Sequence, residues 1–542
     1  MILPLEASTQ DFQLTLSHIL GRMRGVHGDA EIVSALDEAG ARKRISAAGL
    51  ADRAERLAAG LASLGLEPGD RVGVFAWNSQ EHLEAYYAVP CSGLVLHTMN
   101  PRLSPEQIAY TVQHAGDRAI VVDASLAAAL APIAAGLPGV EHYVVIGEDP
   151  EDSIPGAVDY EALLAAQDGA FAWPELDERS AAALCYTSGT TGNPKGVAYS
   201  HRGLCLHTLT MAGHDAYRMS ERDRILAVVP MFHAMAWNLP YLAGMVGADL
   251  VMPGRHLQPE PLTRLIEAER VTATCGVPTI WMDVLRYADQ HGSDLSSLEL
   301  AICGGTQVPP QLMREFEQRH GVAIVQGWGM TETLPGAALA HDPPGAGEEQ
   351  RWARREHAGR VTPFYEIRVV ADDGSVLASD GVAQGEIQIR GPAVAGSYFD
   401  NPEASAAAFD DGWLRTGDVG TLDQRGWLRI TDRAKDVIKS GGEWISSVDL
   451  ESALMAHPAV AEAAVIGVPD ERWSERPFAC VAASGEVSEA ELTEFLAGRF
   501  EKWWLPEGFA FVAEIPKTSV GKFDKKALRG LYAERAERTV DG

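Results

Sequence analysis

The sequence predicts an α/β protein with a large N-terminal domain of two helix-flanked sheets plus a small β subdomain, followed by a small mobile α/β C-terminal domain. Three observations carry this prediction. Before residue 356, short apolar runs alternate with amphipathic helical stretches, the pattern of parallel sheets covered on both faces. From about residue 356 the texture changes to short alternating strands separated by turn pairs such as Asp373-Gly374 and Arg425-Gly426. The chain of 542 residues is also too long for one ordinary core.

In order, residues 50–64 repeat apolar side chains at helical spacing, with Leu57, Leu61 and Leu64 on one face. Residues 71–75, 119–122 and 142–146 are strand candidates. Residues 183–186 form a strand that runs into a Gly/Thr-rich loop, and a helical run starts at His201. Residues 224–229, 248–252 and 298–302 are further strands, with a helix at 260–269. The β subdomain, about 356–431, holds strands at 366–370, 385–390 and 427–430. Residues 1–431 then form the N-terminal domain, 432–436 a hinge and 437–542 a C-terminal lid with helices near 448–456 and 489–500.

The composition, 46% hydrophobic and 22% charged, is that of a folded soluble protein. A formal charge of −30 repels polyanions and argues against a nucleic-acid partner. A phosphorylated substrate must therefore be held by local amides, a few cations and a metal. Six scattered cysteines without a CxxC pair suggest neither a zinc site nor a disulfide framework and fit a reducing cytoplasm. The first ten residues carry Glu6 and no basic cluster, so no signal peptide is expected. Residues 225–248 contain no Asp, Glu, Lys or Arg and are long enough to cross a bilayer. Pro230, His233, Asn238 and Pro240 interrupt them, so a buried wall is expected rather than a transmembrane span; peripheral membrane contact stays open.

The densest chemical signal is Thr187-Ser188-Gly189-Thr190-Thr191-Gly192-Asn193-Pro194-Lys195. Glycines and hydroxyl residues after a strand let the backbone approach an anion and offer many donors. Lys195 adds a cation. The Walker A pattern, with Lys directly before the helix, is absent. Without further residues, a polar turn is the other reading.

This string resembles the phosphate loop of the adenylate-forming superfamily, which holds acyl-CoA synthetases, luciferases and the adenylation domains of peptide synthetases. Four more stretches, at 326–333, 413–418, 432–442 and 516–522, resemble that superfamily's adenine and metal, ribose, hinge and catalytic-lysine motifs in order. The likeness covers nearly the whole chain. It implies Glu332 and Thr187 as Mg²⁺ ligands and Trp328 as a stacking face for adenine, where Tyr is common. Asp418 and Arg433 would take the ribose or a phosphate. Gly304, Gly305, Thr306, Gln326, Gly327, Gly329 and Thr331 complete the nucleotide set. Lys522 would pair with the acyl carboxylate and the α-phosphate, an electrostatic and positioning task.

The reaction so implied has two steps. A carboxylate attacks the α-phosphorus of ATP to give acyl-AMP and pyrophosphate, and then a thiol displaces AMP. The resemblance has the C-terminal domain rotate about Lys435 between the steps, withdrawing Lys522 and bringing in the segment with Gly441 and Gly442. Two adjacent glycines leave room for a narrow thiol arm such as that of CoA. Lys439 would meet a phosphate of the thiol donor.

Residues 229–237 bear on the acid. Phe232 and His233 stand where amino-acid-activating relatives place an Asp, so an α-amino substrate is disfavoured. Met231, Met235 and Met245 suit a flexible apolar pocket, though ordinary core is an equal reading. The stretch is similar to bacterial medium- and long-chain fatty-acyl-CoA synthetases, which implies Trp237 as a gate to an acyl tunnel, with Phe232 and His233 beside it, Trp444 coupled to the hinge, and a homodimer. His233 also joins the catalytic set. A ligase for a short, branched, aromatic or sulfur-containing acid is the alternative. A γ-phosphoryl-transferring ATPase and a silent binding module are alternatives from other classes.

Overall fold

The structure is a computed structural model that describes residues 8–149, 152–168, 170–187, 193–440, 443–470, 472–518 and 522–532, with only the backbone described at 443 and 444. Two sheets form the N-terminal part. In the first, strands Arg71–Phe75, Val95–Thr98, Asp117–Asp123, His142–Ile146 and Val158–Asp159 run parallel. Ala181–Tyr186 extends this sheet in parallel, and Gly196–Ser200 folds back against it antiparallel. The inner strands are mostly buried on both faces, in keeping with their largely apolar sequences. Helix starts follow the capping rules: Ser104 and Gln107 make a reciprocal capping box for Pro105–Ala115, and that helix ends on Gly116 in the left-handed region (φ 67°).

The second sheet has a parallel centre, Arg224–Ala227, Asp249–Met252, Ala273–Gly276, Leu300–Gly304 and Ala323–Trp328. It does not stop there. Antiparallel strands Ala338–Leu339 and Gly359–Val361 continue it into Trp427–Arg433, Trp413–Leu422, Gly385–Arg390 and Glu366–Val370. The expected β subdomain is thus the distal part of one 14-stranded sheet. At the opposite edge sits the hairpin Glu31–Ala35/Arg42–Ser46, which the sequence pattern did not reveal.

Helix Gln80–Cys91 is buried along its whole length at the seam between the sheets. Its Tyr86 hydroxyl donates to the Met231 carbonyl, and its Tyr87 hydroxyl donates to Pro240 O at 2.9 Å. These bonds anchor residues 225–248. That stretch is a strand end, an irregular turn and the short helix Leu239–Val246, buried except at Pro230, His233 and the helix's last turn. Among the described residues no helix is long and apolar enough to cross a membrane. The turn is unusual. Ala234, Met235, Ala236, Trp237 and Asn238 have φ of 39°, 50°, 53°, 52° and 65°, and none is glycine. Left-handed backbone costs L-residues about 1–2 kcal/mol each, so the surrounding bonds, including Asn238 Nδ2 to Thr208 Oγ1 at 2.6 Å, must over-determine it.

Beyond residue 437 a separate five-stranded sheet forms from Ile438–Ser440, Glu443–Ile445, Val460–Asp470, Ser474–Ala483 and Gly508–Phe511. Helices Ser447–Met455, Glu489–Ala497 and Lys525–Tyr532 pack on it. The helix expected at 489–500 ends three residues early, where Gly498 closes it.

Candidate active site

A cavity of about 550 Å³ opens where the two N-terminal sheets meet the Lys522 loop of the C-terminal region, and a second of about 300 Å³ adjoins it. Gly305, Gly327, Trp328, Gly329, Arg433, Lys435 and Lys522 line both, so Lys522 of the C-terminal region stands at their junction. Thr187, Lys195, Thr331 and Glu332 line the larger cavity, together with His233 and Trp237. Thr306, Gln326 and Asp418 line the smaller one.

Thr187 leaves strand Ala181–Tyr186, and its N–H donates to Lys195 O at 2.9 Å. Lys195 N donates back to Thr187 Oγ1 at 3.0 Å. These two bonds close the neck of the loop whose tip, Ser188, Gly189, Thr190, Thr191 and Gly192, lies outside the described residues. Lys195 Nζ sits 4.7 Å from the ring centroid of Tyr398, and the Tyr398 hydroxyl donates to Glu332 Oε1 at 2.7 Å. One aromatic ring therefore spaces the Lys195 cation from the buried Glu332 carboxylate. Burial, helped by the adjacent Glu332, pushes the Tyr398 phenol up, so it remains a donor.

Asp418 and Arg433 face each other directly across strands Trp413–Leu422 and Trp427–Arg433. Arg433 Nε lies 2.7 Å from Asp418 Oδ1, and Trp328 Nε1 donates to Asp418 Oδ2 at 2.9 Å. The indole at position 328 thus offers a face and also holds the ribose-motif carboxylate, a bond the stacking expectation did not include. Gln326 spends its amide on Val308 N (2.6 Å) and His357 O (2.7 Å), shaping the wall of the cavity through its neighbours. Gly304 does not line either cavity; a Cβ there would come within 2.4 Å of Gly327 O and 3.4 Å of the Trp237 ring.

Burial pulls the Lys522 ammonium down to about 8, with Arg433 and Lys435 acting in the same direction and Asp418 and Glu332 opposing. Burial, then the charges of Lys522 and Arg102, lower His233 to about 3. His233 is consequently neutral at physiological pH and contributes shape to the cavity wall, not positive charge.

Besides Gly304, two expected residues stand elsewhere. Phe232 is buried but lines neither cavity, its ring 5.7 Å from the Arg102 guanidinium carbon. Its neighbour His233 takes the cavity position instead. Lys439 is exposed on strand Ile438–Ser440, where its N–H donates to Glu475 Oε2 at 2.9 Å. Gly441 and Gly442 lie outside the described residues, as does the side chain of Trp444. No group of three or more His, Cys, Asp or Glu side chains able to hold a metal occurs among the described residues.

The model of the AMP-binding enzyme family matches residues 24–399, and that of the AMP-binding enzyme C-terminal domain matches 449–522. The chain belongs to the AMP-binding enzyme family. The resemblance read from the five motifs is borne out. A 3-methylmercaptopropionyl-CoA ligase of Ruegeria lacuscaerulensis is 45% identical over 530 residues, 96% of this chain and 98% of that protein. A long-chain-fatty-acid–CoA ligase of Thermus thermophilus is 44% identical over 532 residues, 97% of each. Among solved structures, an anthranilate CoA ligase in complex with anthranoyl-AMP superposes with a TM-score of 0.88 at 27% identity, covering 98% of this chain and 100% of that one. The α/β architecture with its large N-terminal and small C-terminal parts matches that of these adenylate-forming structures.

Within this AMP-binding enzyme, sequence reasoning passed over Tyr398 and Tyr217. Tyr398 reaches Glu332 from 66 residues away, and no spacing announces that contact. Arg415, Thr416 and Gly417 also line the larger cavity, inside a motif from which only Asp418 was singled out.

Proposed function

We propose that this enzyme is an ATP-dependent CoA ligase for medium- or long-chain fatty acids, acting through acyl-AMP and releasing AMP and pyrophosphate. The observation that carries the reading is the position of Lys522, in one cavity with Thr187, Lys195, Glu332 and the apolar wall that ends in Trp237. Anionic phosphates would be held by Lys195, Arg433 and the loop amides, and the ribose by Asp418. Lys522 would neutralise charge on the carboxylate and α-phosphate as they meet, and Trp237 would gate the acyl chain. Glu332 and Thr187 form a one-carboxylate, one-hydroxyl donor set on the cavity wall, which fits a Mg²⁺ that keeps its remaining positions for water and phosphate. The ion would supply Lewis-acid stabilisation of the phosphoryl oxygens. CoA as acceptor rests on the relatives' names and on Gly441-Gly442. A hinge at 432–436, a homodimer and a cytoplasmic location belong to the same reading.

A panel of acids from acetate to stearate, read by pyrophosphate and AMP release with CoA present, tests it. Maximal turnover on medium or long chains is expected. A maximum on aromatic acids, or ADP as product, overturns it.

One observation favours a second reading, a short sulfur-containing acid. Tyr217 is fully buried, it lines the larger cavity, and its hydroxyl has no hydrogen-bond partner among the described residues. The hydroxyl lies 3.3 Å from where a Cβ on Gly336 would stand, and Gly336 lines the same cavity. A methylene chain leaves such a donor unpaired, at a cost of about 1–3 kcal/mol, whereas a heteroatom in the chain accepts from it. On this reading Tyr217→Phe lowers kcat/KM for 3-(methylthio)propionate about tenfold relative to pentanoate, its carbon isostere. On the fatty-acid reading Tyr217→Phe leaves that ratio unchanged and does not impair alkanoates.

A further inference from the structure

Arg433 and Lys435 line both cavities, whereas Asp432 and Asp436 line only the smaller one, and their carboxylates are engaged on helices of the C-terminal region. Asp432 Oδ2 accepts from Ser447 N at 2.7 Å and from Ser447 Oγ at 2.5 Å. Lys525 Nζ in turn donates to Ser447 Oγ at 2.7 Å and lies 2.7 Å from Glu451 Oε1. Four residues along the same helix, Arg529 donates to Asp436 Oδ1 at 2.5 Å and to the Lys435 carbonyl at 3.3 Å. Helix Lys525–Tyr532 is therefore fastened to both ends of residues 432–436, through Ser447 at one end and directly at the other.

That helix begins three residues after Lys522. The loop before it is tied to itself by Thr518 N to Lys522 O (2.7 Å), Lys522 N to Thr518 Oγ1 (3.2 Å) and Asp524 N to Pro516 O (2.8 Å). A displacement of the helix is thus passed to Lys522 with little slack. Asp432 and Glu451 are both buried, so an unpaired charge left by a broken contact is costly.

We propose that Asp432 and Asp436 form a two-point clasp on helix Lys525–Tyr532 that holds Lys522 in the cavity, and that opening this clasp sets how the enzyme divides its time between acyl-AMP formation and thiol transfer. Asp436, Arg529 and Lys525 are positioning residues that act on Lys522 through the helix; Arg529 lines neither cavity, while Asp436 and Lys525 border the smaller one. The proposal rests on the two-step reading given under Proposed function.

The test measures the half-reactions separately, in the full chain, for Asp436→Asn, Arg529→Met and Lys525→Met. Acyl-AMP formation is followed by pyrophosphate release without CoA, and thiol transfer by thioester formation from supplied acyl-AMP. Acyl-AMP formation is expected to fall at least tenfold in each variant while thiol transfer holds or rises, and Lys525→Arg should recover much of the loss. Arg529 is partly exposed, so Arg529→Met keeps the test open if a buried substitution fails to fold. Equal change in both half-reactions, including no change, overturns the clasp. Failure of the unaltered enzyme to release pyrophosphate with any acid would instead overturn the two-step reading.

Discussion

Lys522→Ala is expected to lower acyl-AMP formation by on the order of 10²–10³-fold, the loss typical of removing one group that stabilises transition-state charge, while thioester formation from supplied acyl-AMP stays within a few fold. The asymmetry follows from place and charge. Lys522 lies at the junction of the two cavities, yet it comes from a loop outside the N-terminal sheets, so on the proposed two-step reading it would serve only the step for which that loop is docked. Its pH behaviour gives a second readout. Burial has moved this lysine from 10.5 to about 8, so it keeps its proton below about pH 8 and loses it above. For the free enzyme, kcat/KM of acyl-AMP formation should therefore decline with an apparent pKa near 8, and Lys522→Arg should flatten that limb because guanidinium stays charged. For folding, the unfolded chain binds this proton more tightly between about pH 8 and 10.5, so burying the lysine costs stability below pH 8 and the cost fades as pH rises through that window. Parallel losses in both half-reactions would contradict the assignment of Lys522 to the first.

Glu332→Gln is expected to lower acyl-AMP formation by on the order of 10²-fold at ordinary Mg²⁺ and to move half-maximal activity to higher Mg²⁺. Glutamine keeps a carbonyl oxygen to accept from the Tyr398 hydroxyl, as Glu332 Oε1 does at 2.7 Å, so the fold around it should persist. What it removes is the anionic charge that makes a hard cation stay. Titration of activity with Mg²⁺, alongside the melting temperature, separates the two contributions. An unchanged Mg²⁺ dependence would remove Glu332 from the metal's donors. A large loss of melting temperature would make it a structural anchor for Tyr398.

Much of the site was legible because its chemistry is written in contiguous strings. The loop beginning at Thr187, the Asp418 motif and the Lys522 loop each occupy fewer than a dozen residues, and each carries polar types that a core would not otherwise hold. Contacts made across the chain left no such mark. Tyr398 spacing Lys195 from Glu332, and Trp328 donating to Asp418, are consequences of sheet geometry. Phe232 and His233 are adjacent, and only the local turn decides which of them meets the cavity. The β subdomain was legible as strands but not as part of the second sheet. The link is made by Ala338–Leu339 and Gly359–Val361, two and three residues long, too short to show a period. The start at Glu489 was legible from its Ser488 cap, whereas the expected end ran past Gly498, and the Ser46-capped start at Ala47 was read three residues late.

The left-handed run from Ala234 to Asn238 has a consequence for how this wall can be altered. Each of its five residues already occupies backbone space that side chains resist, and Val, Ile or Thr there would add a branched Cβ against the following carbonyl. Accessible changes of acid scope at this wall are therefore narrowed by the main chain before pocket volume is considered. Glycine relaxes the turn and asparagine tolerates it, whereas branched residues raise its energy. A library that varies the rim at Val228, Val277 and Ile302 while sparing 234–238 would reshape the same cavity on ordinary strand and loop backbone.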